Sequence, residues 1–445
     1  AACPMGHAAP QPVPSPARNP LKPLARIRSS SVLWASPVVL LLVLAYYFTD
    51  ITSDLRLDPL DYAPTVVDGV LRNLVPVAYA VAAALGAWEA RKLGNADIWQ
   101  WGAVRSRYAI AAHSLVPVVA LAWLVLILPV VCGLIQTGTP PNTAGAGLLV
   151  LAMALCAAHA VIGFGWGTAV RHIAAVPVIA VLDFLALGWS TGLTVPWPRH
   201  LTSLYPGRLM FGELPTAPAL VAPLLVGLGA AAAVALLWSG IPRAWLRAAL
   251  AGALALSCFG GGYAIVKDWS YIGPRSTGNG SMSCTSGSPR ICTPSAYAAE
   301  LPALREEVTG TLRTLRGAGV EARPATLTDT LAAVRYPEPS TTTDWHLPLG
   351  ASQAAGMTPY QVARAAVRFE CAPPATEPAR LVYYWVSVKV GQGDVYLRRL
   401  STEPDFTTGK RELLRARVNK VLGMDGADQA EWFRRTVASA CGKTS

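Results

Sequence analysis

The sequence predicts a mainly α fold: a polytopic helical membrane protein with about seven transmembrane helices, plus a small extracellular α+β domain. Three observations support this prediction. The chain of 445 residues is 53% hydrophobic and only 14% charged, whereas soluble proteins carry about 25% charged residues. The apolar residues are concentrated in long runs that end near Val266. Charged and turn-forming residues become frequent only after Lys267.

Seven apolar runs are long enough to cross a bilayer as helices. A hydrocarbon core of about 30 Å requires roughly 20 apolar residues in helical conformation. The runs cover residues 29–48, 69–88, 109–135, 145–170, 173–193, 218–238 and 248–266. An odd number of spans places the two ends of the chain on opposite sides of the membrane.

The basic residues predict the orientation of these spans, because Lys and Arg are enriched in cytoplasmic loops. With the N-terminus inside, the cytoplasmic segments contain eleven Lys or Arg residues and the external short segments contain three to five. The predicted organisation is a disordered proline-rich cytoplasmic tail (1–28), a six-span unit (29–239), a seventh span (240–268) and an extracellular domain (269–445). The predicted location is the cell (plasma) membrane.

Four cysteines lie in the predicted extracellular domain, a compartment that permits disulfides. They are Cys284, Cys292, Cys371 and Cys441, for which three pairings are possible. The short spacing favours Cys284–Cys292 and leaves Cys371–Cys441; free buried thiols are the alternative. A zinc site is not expected, because no Cys-x-x-Cys spacing occurs and only His346 is nearby. The sequence therefore predicts no metal and no cofactor.

One charged, tryptophan-rich stretch, AWEARKLGNADIWQWGAVRSR, lies between the second and third apolar runs at residues 87–107. On the predicted topology it faces the cytoplasm, and its apolar residues allow a short amphipathic segment at the membrane interface. Such a segment can dock a cytosolic partner; a solvated loop that only sets orientation is the alternative. The candidate residues are Glu89, Arg91, Lys92, Asp97, Trp99, Trp101, Arg105 and Arg107.

The order of these parts resembles that of the permease subunits of ABC exporters of the drug, lipid and polysaccharide class. In that family, charged residues follow the second span and a short coupling helix precedes the third. Residues 162–184 are similar to the tight hairpin between spans four and five, and residues 194–215 to the outer segment before span six. The family's usual proline after the coupling helix is absent, since Ala103-Val104 stands in its place. Glu89, Arg91, Lys92, Arg105 and Arg107 occupy matching positions.

The resemblance implies an exporter powered by a separate ATP-binding cassette ATPase subunit, docked at residues 90–107. It also implies a homo- or heterodimer of permeases in the lipid bilayer. The chain itself shows no ATPase motif: Gly442-Lys443-Thr444 resembles the end of a P-loop, but Val437 stands where the motif has its first glycine. The seventh span and the external domain go beyond the usual six-span pattern, and the substrate is not indicated.

Ionisable residues inside the predicted spans are costly and therefore mark candidate functional positions. They include His113, His159 and Asp183. His159 and Asp183 lie twelve residues before and after Arg171 in the turn, so both are about 18 Å from it along their helices. The matched depth predicts a hydrogen-bonded pair; the alternative is that each faces a different neighbour. Asp68 lies near the outer surface, where solvation at the interface is expected.

The C-terminal domain shows helix-start signals at Thr293-Pro294, for a helix to about Arg316, and at Thr358-Pro359. Residues 381–390 are rich in β-branched and aromatic side chains, which predicts a strand. Residues 408–423 and 428–441 predict two closing helices. Together these elements predict the small α+β domain.

The same domain shows no enzyme motif: His-Glu-x-x-His is absent, and residues 350–354 miss the last glycine of a nucleophile elbow. Its 21 Lys and Arg against 16 Asp and Glu give a net charge of +5. This charge favours anionic lipid headgroups or wall polymers, with ordinary solubilising charge as the alternative. No nucleic-acid recognition motif accompanies it. The second candidate function is therefore a membrane-anchored extracellular binding or sensor protein whose spans act as a scaffold.

Overall fold

The computed structural model describes residues 30–52, 62–98, 106–170, 172–202, 208–333 and 339–442. Within these ranges the chain is mainly helical, with a helical unit at residues 30–266 and a C-terminal domain at residues 282–442. The predicted proline-rich tail, residues 1–28, lies outside the described residues.

The helical unit contains seven helices that are long and apolar enough to cross a membrane. Each coincides with one of the seven apolar runs, which confirms that part of the prediction. The helices are α1 (Val32–Tyr46, continued by a π-helical turn to Ile51), α2 (Ala63–Asn95), α3 (Arg107–Thr137), α4 (Thr143–Ala169), α5 (Ala175–Gly192), the short α6 (Trp197–Leu201), α7 (Ala217–Leu237) and α8 (Ala244–Val266). All except α6 belong to the seven.

Helix α2 is the central element of this unit. It has 33 residues, which corresponds to a length of about 50 Å, and it continues seven residues beyond the predicted end of the span at Trp88. Most of its residues are buried against α3, α4 and α5. Its length exceeds the roughly 30 Å of a hydrocarbon core, and its last turn, after the buried Ala90, carries exposed residues such as Lys92 and Asn95.

Small residues allow α2 and α4 to approach until their backbones touch. Gly163 and Gly167 of α4 face Ala83 and Ala87 of α2, and a Cβ atom at either glycine would overlap the carbonyl oxygen opposite it. The Gly-x-x-x-Gly spacing places both glycines on one face of α4. Gly86 of α2 meets the carbonyl oxygen of Ala160 in the same way, so the close packing of these two helices depends on the absence of side chains at three positions.

The two ends of the unit carry different structures. At the first, called here the Glu89 end, Glu89 near the C-terminus of α2 contacts Ser31 at the start of α1. At the second, called the domain end, strand β1 (Leu214–Pro215) pairs with β2 (Arg275–Ser276) just before the C-terminal domain. Because α2 runs from one end to the other, the domain lies opposite the charged stretch at residues 89–97.

The C-terminal domain is built on a four-stranded sheet in the order β3–β4–β5–β6. Strands β3 and β4 are antiparallel, whereas β4, β5 and β6 are parallel. Parallel neighbours require a crossover connection, and helix α9 (Leu301–Gly317) supplies it between β4 and β5. The strands are β3 (Met282–Cys284), β4 (Arg290–Pro294), β5 (Thr326–Asp329) and β6 (Asp344–Leu347).

Helices complete the domain and cover its core. The core includes the buried indole rings of Trp345 and Trp385. The helices are α10 (Leu349–Ala354), α11 (Thr358–Ala366), α12 (Thr376–Lys389), α13 (Gly393–Leu400), α14 (Thr408–Leu422) and α15 (Gly426–Ser439). The two closing helices and the helix after Thr358-Pro359 agree with their predictions.

One prediction for the domain is wrong, and another is wrong in where its helix starts. Residues 381–390 do not form a strand but belong to α12, in which buried Val382, Trp385 and Val386 follow the spacing of one helix face. Thr293-Pro294 does not start a helix, because Thr293 is paired with Ser283 in the sheet. A 3-10 helix (Ser295–Glu300) follows directly and leads into α9, which begins at Leu301 and ends at Gly317, so the predicted end near Arg316 is confirmed.

Candidate functional site

The carboxylate of Glu89 holds the start of α1 against the end of α2. It is buried and accepts hydrogen bonds from the backbone N–H of Ser31 (2.7 Å) and the hydroxyl of Ser30 (3.3 Å). The first N–H groups of a helix lack intrahelical partners and carry partial positive charge, so a carboxylate stabilises them. Glu89 is therefore a structural residue in the interior, not an exposed docking residue.

The other predicted residues of the stretch that the structure describes are more accessible. Lys92 is half exposed and lies 3.8 Å from Glu89. Asp97 is exposed and has a φ of 49°, a left-handed conformation that Asp adopts more readily than most residues, in the turn that follows α2. Arg107 is exposed at the start of α3, next to the capping Ser106.

The other four predicted residues of the segment are either half-buried or outside the described part of the chain. Arg91 is half-buried, and its Nε atom has no hydrogen-bond partner in the described part of the chain. Trp99, Trp101 and Arg105 lie outside the described residues. The structure thus brings charged residues from the end of α2 and the start of α3 to the Glu89 end, and docking of an ATPase there stays a prediction.

The predicted pair between α4 and α5 is confirmed: His159 Nδ1 and Asp183 Oδ2 are 2.8 Å apart. The ring of Tyr79 from α2 stacks on the imidazole, with ring centroids 4.4 Å apart. Three helices therefore meet at one polar group midway along the bundle. His113 differs, since its Nδ1 lies 2.5 Å from the carbonyl oxygen of Ala109 in its own helix.

A double-mutant cycle will measure the His159–Asp183 interaction. We expect His159→Leu and Asp183→Leu each to destabilise the protein, and the double variant to lose about 1 kcal/mol less than their sum, the size of such interactions between apolar helices. The measurement is thermal or denaturant unfolding of the detergent-solubilised chain. His113→Leu combined with Asp183→Leu is the matched control and should be additive. Additivity in both cycles would show that the interaction between His159 and Asp183 does not contribute to the free energy of unfolding.

A second polar cluster lies at the domain end, and sequence reasoning missed it. Asp68 is buried and accepts a hydrogen bond from the backbone N–H of Leu209 (2.9 Å), so its expected solvation at the interface is wrong. Nearby, Arg275 donates to the buried carboxylate of Glu213 (2.7 Å). This pair joins the segment before α7 to the segment that enters the C-terminal domain. No local sequence signal indicates either contact.

Apolar packing reinforces this junction. Tyr62 at the start of α2 packs on Phe211, with ring centroids 5.4 Å apart. Met282, Tyr297 and Leu331 of the C-terminal domain pack against the same cluster. Three contacts therefore attach the domain to the helical unit: the β1–β2 pairing, the ion pair of Glu213 with Arg275, and this apolar cluster.

His200 in α6 is a buried titratable group at the domain end, and its Nε2–H donates to the carbonyl oxygen of Ser270 (2.9 Å). Burial lowers the pKa of His200; the hydrogen bond to Ser270 opposes this shift, and the charges of Arg199 and Arg275 add to it. The folded state therefore disfavours protonation. The stability that this histidine contributes is present above its unfolded pKa of about 6.5 and is lost as the pH falls through the lower folded pKa.

We expect the melting temperature of the parent protein to fall more steeply between about pH 7.5 and about pH 5 than that of His200→Gln, which cannot titrate. The measurement is thermal unfolding across this pH range. His172→Gln, which replaces an exposed histidine, is the control and should keep the slope of the parent. Equal slopes for the parent and His200→Gln would contradict the prediction.

The C-terminal domain contains a cavity of about 780 Å³ between α11, α12 and α13, which sequence reasoning also missed. Its charged lining residues are Arg364, Arg380, Arg398, Arg399 and Glu403. They come from separate helices, and only the adjacent Arg398-Arg399 is visible as a local pattern. The net basic charge of the domain is thus concentrated in part at one concave site.

Both predicted disulfides are present, Cys284–Cys292 and Cys371–Cys441. The first links the paired strands β3 and β4, and the second ties the segment before α12 to the end of α15. The bonds are compatible with an extracellular position of the domain. In the described part of the chain, no group of three or more His, Cys, Asp or Glu side chains is arranged to hold a metal ion.

Comparison with protein-family models, with curated proteins and with solved structures finds no match to this chain.

Proposed function

We propose that the chain is the multi-pass membrane subunit of an ABC-type exporter, powered by a separate ATPase subunit. One observation carries the proposal: α2 continues without a break from the buried Glu89 to Asn95, and exposed charges lie in its last turn (Lys92) and just after it (Asp97). Glu89 fixes this end of α2 to the start of α1 through Ser31. A force applied to Lys92 or Asp97 is therefore transmitted into the bundle instead of bending a loose loop.

The proposed orientation follows from the basic residues. The Glu89 end faces the cytoplasm, where Lys and Arg are enriched, and the domain end faces outward. The two disulfides are compatible with this arrangement, because they persist in oxidising compartments. A homo- or heterodimer of such subunits would present two Glu89 ends to a pair of ATPase subunits.

The test is co-purification of the detergent-solubilised chain with an ABC-class ATPase subunit, identified by mass spectrometry and by ATP hydrolysis of the complex. The variant Lys92→Glu/Arg107→Glu reverses two exposed charges of the segment. Arg243→Glu, at an exposed position between α7 and α8 at the same end, is the control for charge. Glu89 is left intact because its loss would disturb the packing of α1.

We expect the parent and Arg243→Glu to retain the ATPase and the double variant to lose it. Absence of an ATPase from all three samples would refute the exporter. It would favour the second candidate, a membrane-anchored extracellular binding protein, which the arginine-lined cavity of the C-terminal domain supports. Equal retention by all three samples would place the docking surface elsewhere on the Glu89 end.

A further inference from the structure

The cavity between α11, α12 and α13 has the size of a small-molecule site, since such sites occupy about 300–1,000 Å³. Helix α11 contributes Tyr360 and Arg364, α12 contributes Tyr383, and α13 contributes Tyr396, Arg398 and Arg399. Met357, Val395 and Leu400 give part of the wall an apolar surface. The cavity therefore offers basic, phenolic and apolar groups to one occupant.

Only one of the four arginines that line the cavity is paired with a carboxylate in the described part of the chain. The one acidic residue of the lining, Glu403, pairs with Arg380, which also binds Asp405 at 3.2 Å. No carboxylate of the described residues lies within ion-pair distance of the guanidinium groups of Arg364, Arg398 and Arg399, all three of which are exposed. Three guanidinium groups thus remain available to an anion.

Aromatic rings hold two of these arginines. The guanidinium of Arg364 lies 5.2 Å from the ring centroid of Tyr383, and that of Arg399 lies 5.3 Å from the ring centroid of Tyr360. Cation–π contacts orient a guanidinium and leave N–H donors at its edge for a ligand. The two groups are therefore positioned before a ligand arrives.

The tyrosine hydroxyls add donors of their own. In the described part of the chain, the hydroxyls of Tyr360, Tyr383 and Tyr396 have no hydrogen-bond partner, although all three residues line the cavity. Tyr396 also stacks on Tyr384, with ring centroids 6.0 Å apart, which fixes its position. Burial raises the pKa of Tyr396, so its hydroxyl keeps the proton that it donates.

We infer that this cavity binds a phosphate ester through Arg364, Arg398, Arg399 and the tyrosine hydroxyls. A single arginine fork satisfies the two oxygens of a carboxylate, whereas several guanidinium groups match the additional oxygens and charge of a phosphate. The apolar part of the wall receives the organic portion of the ester. The source is either a soluble phosphorylated polyol or the headgroup of an anionic lipid. The inference goes beyond the proposed exporter and holds for either candidate function.

The test measures binding to the full chain with three probes. Glycerol 3-phosphate represents a soluble phosphate ester, and glycerate carries a carboxylate instead of the phosphate. Nanodiscs containing phosphatidylglycerol, compared with phosphatidylcholine alone, represent the lipid source. Calorimetry gives the dissociation constant of each soluble probe. Lipid bound to the chain re-extracted from the nanodiscs is quantified by mass spectrometry.

The decisive variant is Arg398→Gln/Arg399→Gln. We expect it to weaken binding of the phosphate ester by about tenfold or more, the effect of losing a charged hydrogen bond. Arg434→Gln/Arg435→Gln removes another adjacent, exposed pair of the same domain on α15 and should change binding less than about twofold. Tyr396→Phe, which removes only a hydroxyl, should weaken binding several-fold.

Glycerol 3-phosphate binding that is lost in the arginine variant supports a soluble ester, and selective retention of phosphatidylglycerol supports a lipid headgroup. No binding of either ester, equal binding of glycerate, or equal binding by the arginine variant and its control would overturn the inference. If the arginine variant melts at a lower temperature than the parent, the same binding measurements are made with Tyr396→Phe and Arg364→Gln instead. If the chain retains no ATPase in the co-purification test, the exporter proposal fails, but the results of these binding measurements are unaffected.

Discussion

Replacing Gly163 with leucine is expected to lower the free energy of unfolding by about 3 kcal/mol, near the upper part of the range for overpacked sites. The new side chain would overlap the carbonyl oxygen of Ala83, which belongs to the backbone of α2 and cannot rotate away. Helices α2 and α4 must then separate along the closest contact of the unit. The measurement is thermal unfolding of the detergent-solubilised chain, together with the yield of monodisperse protein.

The matched control is Gly147→Leu in the same helix. A Cβ atom at Gly147 meets nothing within 4 Å, and the residue is exposed. The change in helix propensity is the same at both positions, so the difference between the variants isolates the packing effect. Similar melting temperatures for both variants would show that α2 and α4 do not rely on this contact.

Removing the Cys371–Cys441 bond with a double serine substitution is expected to cost about 4 kcal/mol in the chain-entropy description of disulfides. The two cysteines are separated by 70 positions, so the bond restricts a long segment of the unfolded chain. The measurement is denaturant-dependent proteolysis of the full chain, with peptides of the C-terminal domain followed by mass spectrometry. We expect cleavage within α12 to α15 at lower denaturant concentrations than in the parent.

The double serine variant of Cys284 and Cys292 provides the comparison. Its loop spans only 8 positions, and the same description gives a loss of about 2.5 kcal/mol. The two strands that it joins are also held by their own backbone hydrogen bonds. A larger effect from the short loop than from the long one would contradict the entropic explanation for this domain.

The features that the sequence could predict depend on one-dimensional patterns. Apolar runs of span length located all seven helices, because crossing a hydrocarbon core sets a minimum length whatever the neighbours. The pair of His159 and Asp183 followed from equal distances to one turn. Helix α12 was missed because no residue of 381–390 is exposed; apolar residues therefore also occur outside the face of Val382, Trp385 and Val386, and the run resembles a buried strand.

The site residues that the sequence could not predict depend on contacts between distant segments. Asp68 meets Leu209 across 141 positions, and Glu213 meets Arg275 across 62. The cavity combines arginines and tyrosines from three helices whose packing no local pattern encodes. Glu89 was predicted to belong to the docking segment, but the N–H group of Ser31 at the start of α1 provides a buried partner for its carboxylate.

Asp68 and Glu89 mark two fixed points on α2 and so define a constant length of helix between them. They are 21 positions apart in one helix, which corresponds to about 32 Å, close to the thickness of a hydrocarbon core. Each carboxylate is hydrogen-bonded to another segment of the chain, so α2 cannot tilt on its own to fit a thinner bilayer. In a membrane of different thickness the lipid must therefore deform around the protein, and hydrophobic mismatch would sort the chain toward bilayers that match this spacing.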